Sequence, residues 1–224
     1  MQNPAYTAWL TQISVQIEQL LKETPAKPLS KIEPIRGSGL YVIYYVGRHS
    51  PVLAYEPTAK RNRRSRWGEP VYISIAKPSG AAARLRSTDH TVGSSLYNAL
   101  RNHAKSIEMV NEHLTLDIRD FYYKALPVDP LNAQVAEMIL LDRHAPIWNT
   151  VVRGFANHNV GRTRLGQRRS RWDIMHMGRP WGADCQWNEE GTLEILSDLA
   201  LHYKHRENVR KQMRREAKTF LQAA

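Results

Sequence analysis

Apolar residues recur at helical spacing from Tyr6 to Lys22, with Trp9, Ile13, Ile17, Leu20 and Leu21 on one side, so an amphipathic helix is predicted there. Pro25, Pro28 and Pro34 end it and mark a connector. Leu40–Val46 then reads as a dense run of β-formers stopped by Gly47, and Val71–Ala76 supplies a second strand. The insertion between them is long for a hairpin, which points to a working loop. Gly93-Ser94-Ser95 starts a helix that buries Leu96, Leu100 and Ile107 and runs to Val110. Leu114–Leu126 alternates as a third strand. Asn132–Arg143 is a helix with Val135, Ile139 and Leu140 inside, closed by Pro146. Periodicity fades from Val152 to Asn188, where Gly, Arg, Asn and Trp dominate, so irregular structure is expected. It returns in a long basic helix over Thr192–Phe220. The expected class is α+β: a small three-stranded sheet flanked by helices, with an N-terminal helix, an Arg-rich insertion loop and a C-terminal helical extension.

Composition sets bounds on this picture. The 224 residues, 42% of them hydrophobic, suffice for one domain with decorations. Its expected parts are an N-terminal helix and linker over 1–36, a core over 37–150, and loops with the C-terminal helix over 151–224. The single Cys185 excludes an internal disulfide framework and a multi-cysteine zinc site. No apolar stretch approaches the ~20 residues of a membrane span, and Met1–Ala5 lacks the layout of a secretion signal. A cytoplasmic location is the expectation.

Charge changes the picture most. A net charge of +11 and a pI near 9.9 favour a polyanionic partner, because neutralising phosphates releases condensed counterions. The windows Lys60–Arg66, Arg162–Arg171 and Lys204–Lys218 hold 17 of the 32 Lys and Arg residues, opposed only by Glu207 and Glu216. A solvated surface would intersperse more acids. Nucleic acid is therefore the expected partner, ahead of a membrane surface or a ribosomal contact, and no RNA-module signature is present.

Four local features follow in one order. Gly39-Leu40-Tyr41 opens a strand, and Val71-Tyr72-Ile73-Ser74 lies in the next. Asn98-Ala99-Leu100-Arg101-Asn102-His103 sits on a helix. Glu137 lies on another helix, with Pro146-Ile147-Trp148-Asn149 just after it. From Gly37 to Asn149 the chain resembles the GIY-YIG nucleases. The stretch from Trp148 through Trp181, with Gly154-Phe155, Asn157-His158 and Trp172-Asp173, is similar to the restriction enzymes of that class that cut CCGCGG.

The resemblance implies a site-specific, metal-dependent double-strand DNA endonuclease of type II restriction type that acts on a short G+C-rich palindrome. One divalent ion, Mg²⁺, is implied per site, with Glu137 as its protein ligand, since a hard ion needs few protein oxygens and keeps several waters. Tyr41 matches the tyrosine that activates the attacking water. An unassisted phenol is a poor base at neutral pH, and His103 is placed to take its proton. Tyr72 matches a second tyrosine that orients phosphate or water, and Asn149 the amide that braces the site. Each has an ordinary rival: packing for the strand tyrosines, a plain helix surface for His103 and Glu137, and a turn for Asn149.

The chain also departs from the pattern. Ala99 stands where the resembled class keeps an arginine, Ser74 where it has glycine, and Ile75 where a basic residue often follows. Arg101, Arg84 or Arg86 could have taken over. Alternatively the protein binds DNA without cutting, by nature or through an introduced alanine. Arg101 lies ~200° around a helix from position 99, at ~100° per residue, an awkward placement for a replacement. Target reading is expected from Arg61, Arg63, Arg64 and Arg66 in the insertion and from Arg162, Arg164, Arg168, Arg169 and Arg171 in the irregular block. Arginine pairs bidentately with guanine, although half or more of such contacts reach only phosphates. Cleaving both strands of a palindrome implies a homodimer, with the N-terminal helix and the long loop as its surfaces.

Overall fold

Alternation along two central strands divides the core into two faces, and each face takes a different helix. The computed structural model describes residues 4–78, 93–111, 116–157 and 166–223. Strand β1 is Lys27–Pro28, β2 Gly39–Tyr45, β3 Tyr72–Ala76 and β4 Phe121–Pro127. They form an antiparallel sheet in the order β1-β4-β2-β3. Tyr41, Ile43 and Tyr45 of β2 face a cluster with Leu96, Leu100, Ala104 and Ile107 of α3 (Ser95–Asn111). Leu40, Val42 and Tyr44 face the other way, onto Ile17 and Leu21 of α1 (Pro4–Glu23) and onto Ala136 and Leu140 of the helix Pro130–His144.

The sheet has four strands rather than the three expected. The extra one is two residues long, lies in the proline-marked connector, and pairs Lys27 with Tyr123 and Pro28 with Tyr122. So short a strand leaves no alternation to read. The third predicted strand is shorter than expected: Ile118–Asp120 is a 3-10 turn, Phe121–Pro127 is the strand, and residues 112–115 lie outside the described residues. Gly39 opens β2 at φ +150°, and a Cβ there would meet Leu126 O at 2.2 Å, so only glycine lets β4 approach.

The insertion between β2 and β3 is not an open loop throughout. It carries a helix, α2 (Glu56–Asn62), whose Thr58, Ala59 and Asn62 are buried. The Asn62 amide donates to Tyr45 O and Glu69 O, which closes the insertion on itself. The helix Pro130–His144 is α4, and Asp129 caps its first turn. It ends because Ala145 takes a left-handed conformation at φ 42° ahead of Pro146. The short α5 (Ile147–Thr150) follows at once.

The stretch expected to be irregular holds two short helices, α6 (Arg171–Met175) and α7 (Pro180–Ala183), joined around one buried cation. Arg179 is fully buried. It pairs with Asp173 at 2.7 Å, donates to the carbonyls of Gly154, Phe155 and Asn157, and lies 4.1 Å over the Trp172 ring. The long C-terminal helix is α8 (Thr192–Ala223). No helix among the described residues is long and apolar enough to cross a membrane.

Replacing Arg179 by Met keeps the side-chain volume but leaves the Asp173 carboxylate buried without its cation. Arg179→Met is expected to lower unfolding free energy by ~3–5 kcal/mol, the usual cost of breaking one partner out of a buried pair. Urea denaturation followed by tryptophan fluorescence checks it, and a loss below ~1 kcal/mol would show that water reaches the pair.

Candidate active site

A sheet edge exposes backbone donors and acceptors that need partners, and β3 is such an edge. Three consecutive groups cover it. Trp148 N donates to Val71 O at 3.0 Å. The Asn149 carboxamide accepts from Ile73 N at 2.9 Å and donates to Ile73 O at 2.8 Å, standing in for a strand. Glu137, half-buried on α4, lies close enough to the backbone N–H of Ile75 to be influenced by it. The sharp end of α4 at Ala145 makes this possible, since it drops Trp148 and Asn149 alongside the strand.

On the opposite side of β3, Tyr41 and Ser74 are register partners. The Ser74 hydroxyl lies within interaction range of the Tyr41 and Tyr72 phenols and of the Glu137 carboxylate, so it stands between the phenols and the carboxylate. Ser74 was expected only as a departure where glycine is usual; here it is the centre of the cluster. Tyr41 Oη lies 2.7 Å from His103 Nε2, and both residues are buried. The imidazole is stacked on Phe155, 4.5 Å between centroids at 21°, and Tyr72 meets its edge at 5.2 Å. Phe155 had no assigned role in the sequence reading, yet it fixes the plane of the ring.

Burial pushes the Tyr41 phenol well above its ordinary value, and the neighbouring Tyr72 adds to the rise. Tyr72 is raised for the same leading reason. Glu137 is half-buried and its carboxyl is also raised, by desolvation, against the pull of the Ser74 hydroxyl, of the Lys77 charge and of Ile75 N–H. A half-buried carboxylate without an ion-pair partner among the described residues suits one hard cation that keeps most of its waters. No group of three or more His, Cys, Asp or Glu that could hold a metal is present among the described residues.

The structure thus brings Tyr41, Tyr72, His103, Glu137 and Asn149 together, and it leaves Arg101 out. Arg101 is exposed and lies over the Tyr97 ring at 5.6 Å. Ala99 is half-buried against the core, one helical turn before His103 and on the same face. Arg84 and Arg86 lie outside the described residues, as do Arg162 and Arg164.

The arginines expected to read DNA divide into two kinds. Arg63 is a clamp, donating to Val46 O, Gly47 O and both oxygens of Glu56. Arg171 ties Glu190, Asp198 and Val151 O together. The guanidinium groups of these two are engaged in holding the fold. Arg169 donates to Gly182 O and is half-buried. Arg61 is half-buried and lies 3.7 Å from Glu69. Arg64, Arg66 and Arg168 are exposed. Arg64, Ser65 and Trp67 all have positive φ, strain of the kind that collects at working loops. Trp67 anchors that turn against Tyr44 and Tyr122.

A four-stranded antiparallel sheet with this tyrosine, histidine and glutamate cluster on its edge defines a GIY-YIG nuclease domain. Residues 33–203 match the family described as the Eco29kI GIY-YIG domain, and the chain belongs to that family, whose namesake is a restriction endonuclease recognising CCGCGG. No curated protein matches the chain.

Removing the Asn149 carboxamide strips both hydrogen bonds from Ile73. Asn149→Ala is expected to cost ~1–3 kcal/mol, the usual cost of leaving a buried polar group unpaired. It should also raise hydrogen exchange at the Ile73 amide. Unchanged exchange there would remove Asn149 as the brace of β3.

Proposed function

We propose that the protein is a type II restriction endonuclease that hydrolyses both strands of a short G+C-rich palindrome, with Mg²⁺ held at Glu137. The observation that carries this is the 2.7 Å bond between Tyr41 Oη and His103 Nε2, with Ser74 between it and a half-buried carboxylate. Because burial disfavours the phenolate, Tyr41 works as a relay. It takes a proton from the attacking water while passing its own to His103 Nε2. The water oxygen bonds to phosphorus and the P–O3′ bond breaks, leaving a 5′-phosphate. Phe155 holds the imidazole in plane, Tyr72 orients the phosphate or the water, and Asn149 keeps β3 in place. When bound, the ion polarises the phosphoryl oxygens and eases departure of the 3′-oxygen.

Arg64, Arg66 and Arg168, with the cations of α8, supply the charge that holds the duplex. Arg162 and Arg164 belong to the same proposal. Two active sites are needed for two strands, which favours a homodimer. Val15 and Leu20 on α1, 61% and 49% exposed, offer it an apolar surface. A cytoplasmic location suits a protein whose substrate is DNA.

A second reading has its own support: Ala99 cannot hold negative charge, and no arginine among the described residues faces the cluster from α3. On that reading the chain binds DNA without cutting.

Two experiments separate these readings. With Mg²⁺ and a plasmid carrying CCGCGG, Glu137→Ala is expected to abolish cleavage while metal-free duplex binding persists. Loss of binding in a folded variant would move Glu137 out of the metal role. Ala99→Arg should leave the rate of an active enzyme nearly unchanged. In a silent binder it should create cleavage, since one placed donor is worth ~10²–10³ in rate.

A further inference from the structure

Hydrolysis at phosphorus gathers negative charge on the non-bridging oxygens, and a cation beside them lowers the barrier. The face of α3 that meets the tyrosines carries Ala99 and His103 and offers no permanent charge, while Arg101 is turned away over Tyr97. Lys77 lies immediately after β3, two residues beyond Ile75, whose N–H lies close to Glu137. It is exposed, and among the described residues it makes no hydrogen bond or ion pair. Its charge is nevertheless felt at the Glu137 carboxylate, so the ammonium lies in Coulombic range without being neutralised there.

Lys77 shares the parity of Ile73 and Ile75, so the extended chain ahead of Pro78 sends it to the face of β3 that α4 and Glu137 occupy rather than to the tyrosine face. Lys77 is three residues past Ser74, ~10 Å at ~3.3 Å per residue, and its flexible four-carbon stem can close on an anion beside Glu137. An ammonium bound tightly to the carboxylate would compete with a metal ion; one left free beside it can meet a phosphate instead.

We propose that Lys77 is the phosphate-neutralising catalytic cation of this site, supplying from the end of the edge strand the charge that α3 does not provide. The assignment rests on the nuclease reading above. Among the described residues the side chain is exposed and unpaired, so its removal is expected to leave folding intact and to isolate its charge.

The test uses the full chain, Mg²⁺ and a plasmid carrying CCGCGG, with single-turnover cleavage as the readout. Lys77→Ala is expected to slow cleavage by ~10²–10³-fold, by analogy with loss of a single transition-state donor. Lys77→Arg should retain most of the rate, and adding Ala99→Arg to Lys77→Ala should restore it. In metal-free duplex binding, Lys77→Ala should flatten the slope of log K against log salt by ~0.9, one phosphate contact. Wild-type cleavage by Lys77→Ala, or an unchanged salt slope, overturns the assignment and leaves the nuclease reading standing. A loss that neither Lys77→Arg nor Ala99→Arg recovers also overturns it, since the role is then not one of charge. A wild type that cuts only after Ala99→Arg overturns it as well, because the charge was missing all along. Failure of every form to cut overturns the nuclease reading with it.

Discussion

The outer edge of β3 must find partners for its backbone, and the rest of the site depends on how that need is met. A peptide edge left open costs free energy and invites other chains to pair. Here it is closed by Trp148 and Asn149, with Glu137 next along the strand. Those groups come from one helix and the turn after it, so α4 is locked in register with β3. The same lock sets Glu137 beside Ser74, and through Ser74 beside both tyrosines. A structural requirement of the sheet thereby fixes the distance between the carboxylate and the phenols.

Aromatic packing does comparable work on the other side. His103 has no freedom to turn: Phe155 stacks on one face, Tyr72 meets its edge, and Tyr41 holds Nε2. Phe155 is itself held by the segment whose carbonyls Arg179 gathers. A buried ion pair outside the cluster thus helps to set the orientation of the imidazole within it. Coupling of this kind explains why the segment around Phe155 belongs with the cluster.

The basic surface is narrower than the arginine count suggests. Arg63, Arg171 and Arg179 pair with acids, the buried Asp173 among them, and cap backbone carbonyls, which a planar fork of five donors does better than an ammonium. What remains exposed is concentrated on the strained turn around Arg64 and Arg66, near Arg168, and along α8. There α8 and α2 border a cleft lined by Arg61, Lys204, Arg210 and Lys211, with Glu69 and Glu207 in opposition.

Local pattern was enough to read helices within Pro4–Glu23, Ser95–Asn111 and Pro130–His144 and the strands β2 and β3, whereas Tyr41, Tyr72, His103, Glu137 and Asn149 were singled out by the family resemblance. Periodicity and turn residues are properties of neighbours in the chain. The two-residue β1 was beyond that reading, because its partner is a strand almost a hundred positions away and its own length holds no period. So was the left-handed Ala145, where tertiary contact overrides the preference of a residue with a Cβ. The split of the arginines into clamps and free cations, the place of Ser74 between three polar groups, and the nearness of Lys77 to Glu137 were likewise decided only by the fold. Each depends on which acids, carbonyls and hydroxyls the packed chain brings within a few ångströms, and a linear pattern carries no such distances.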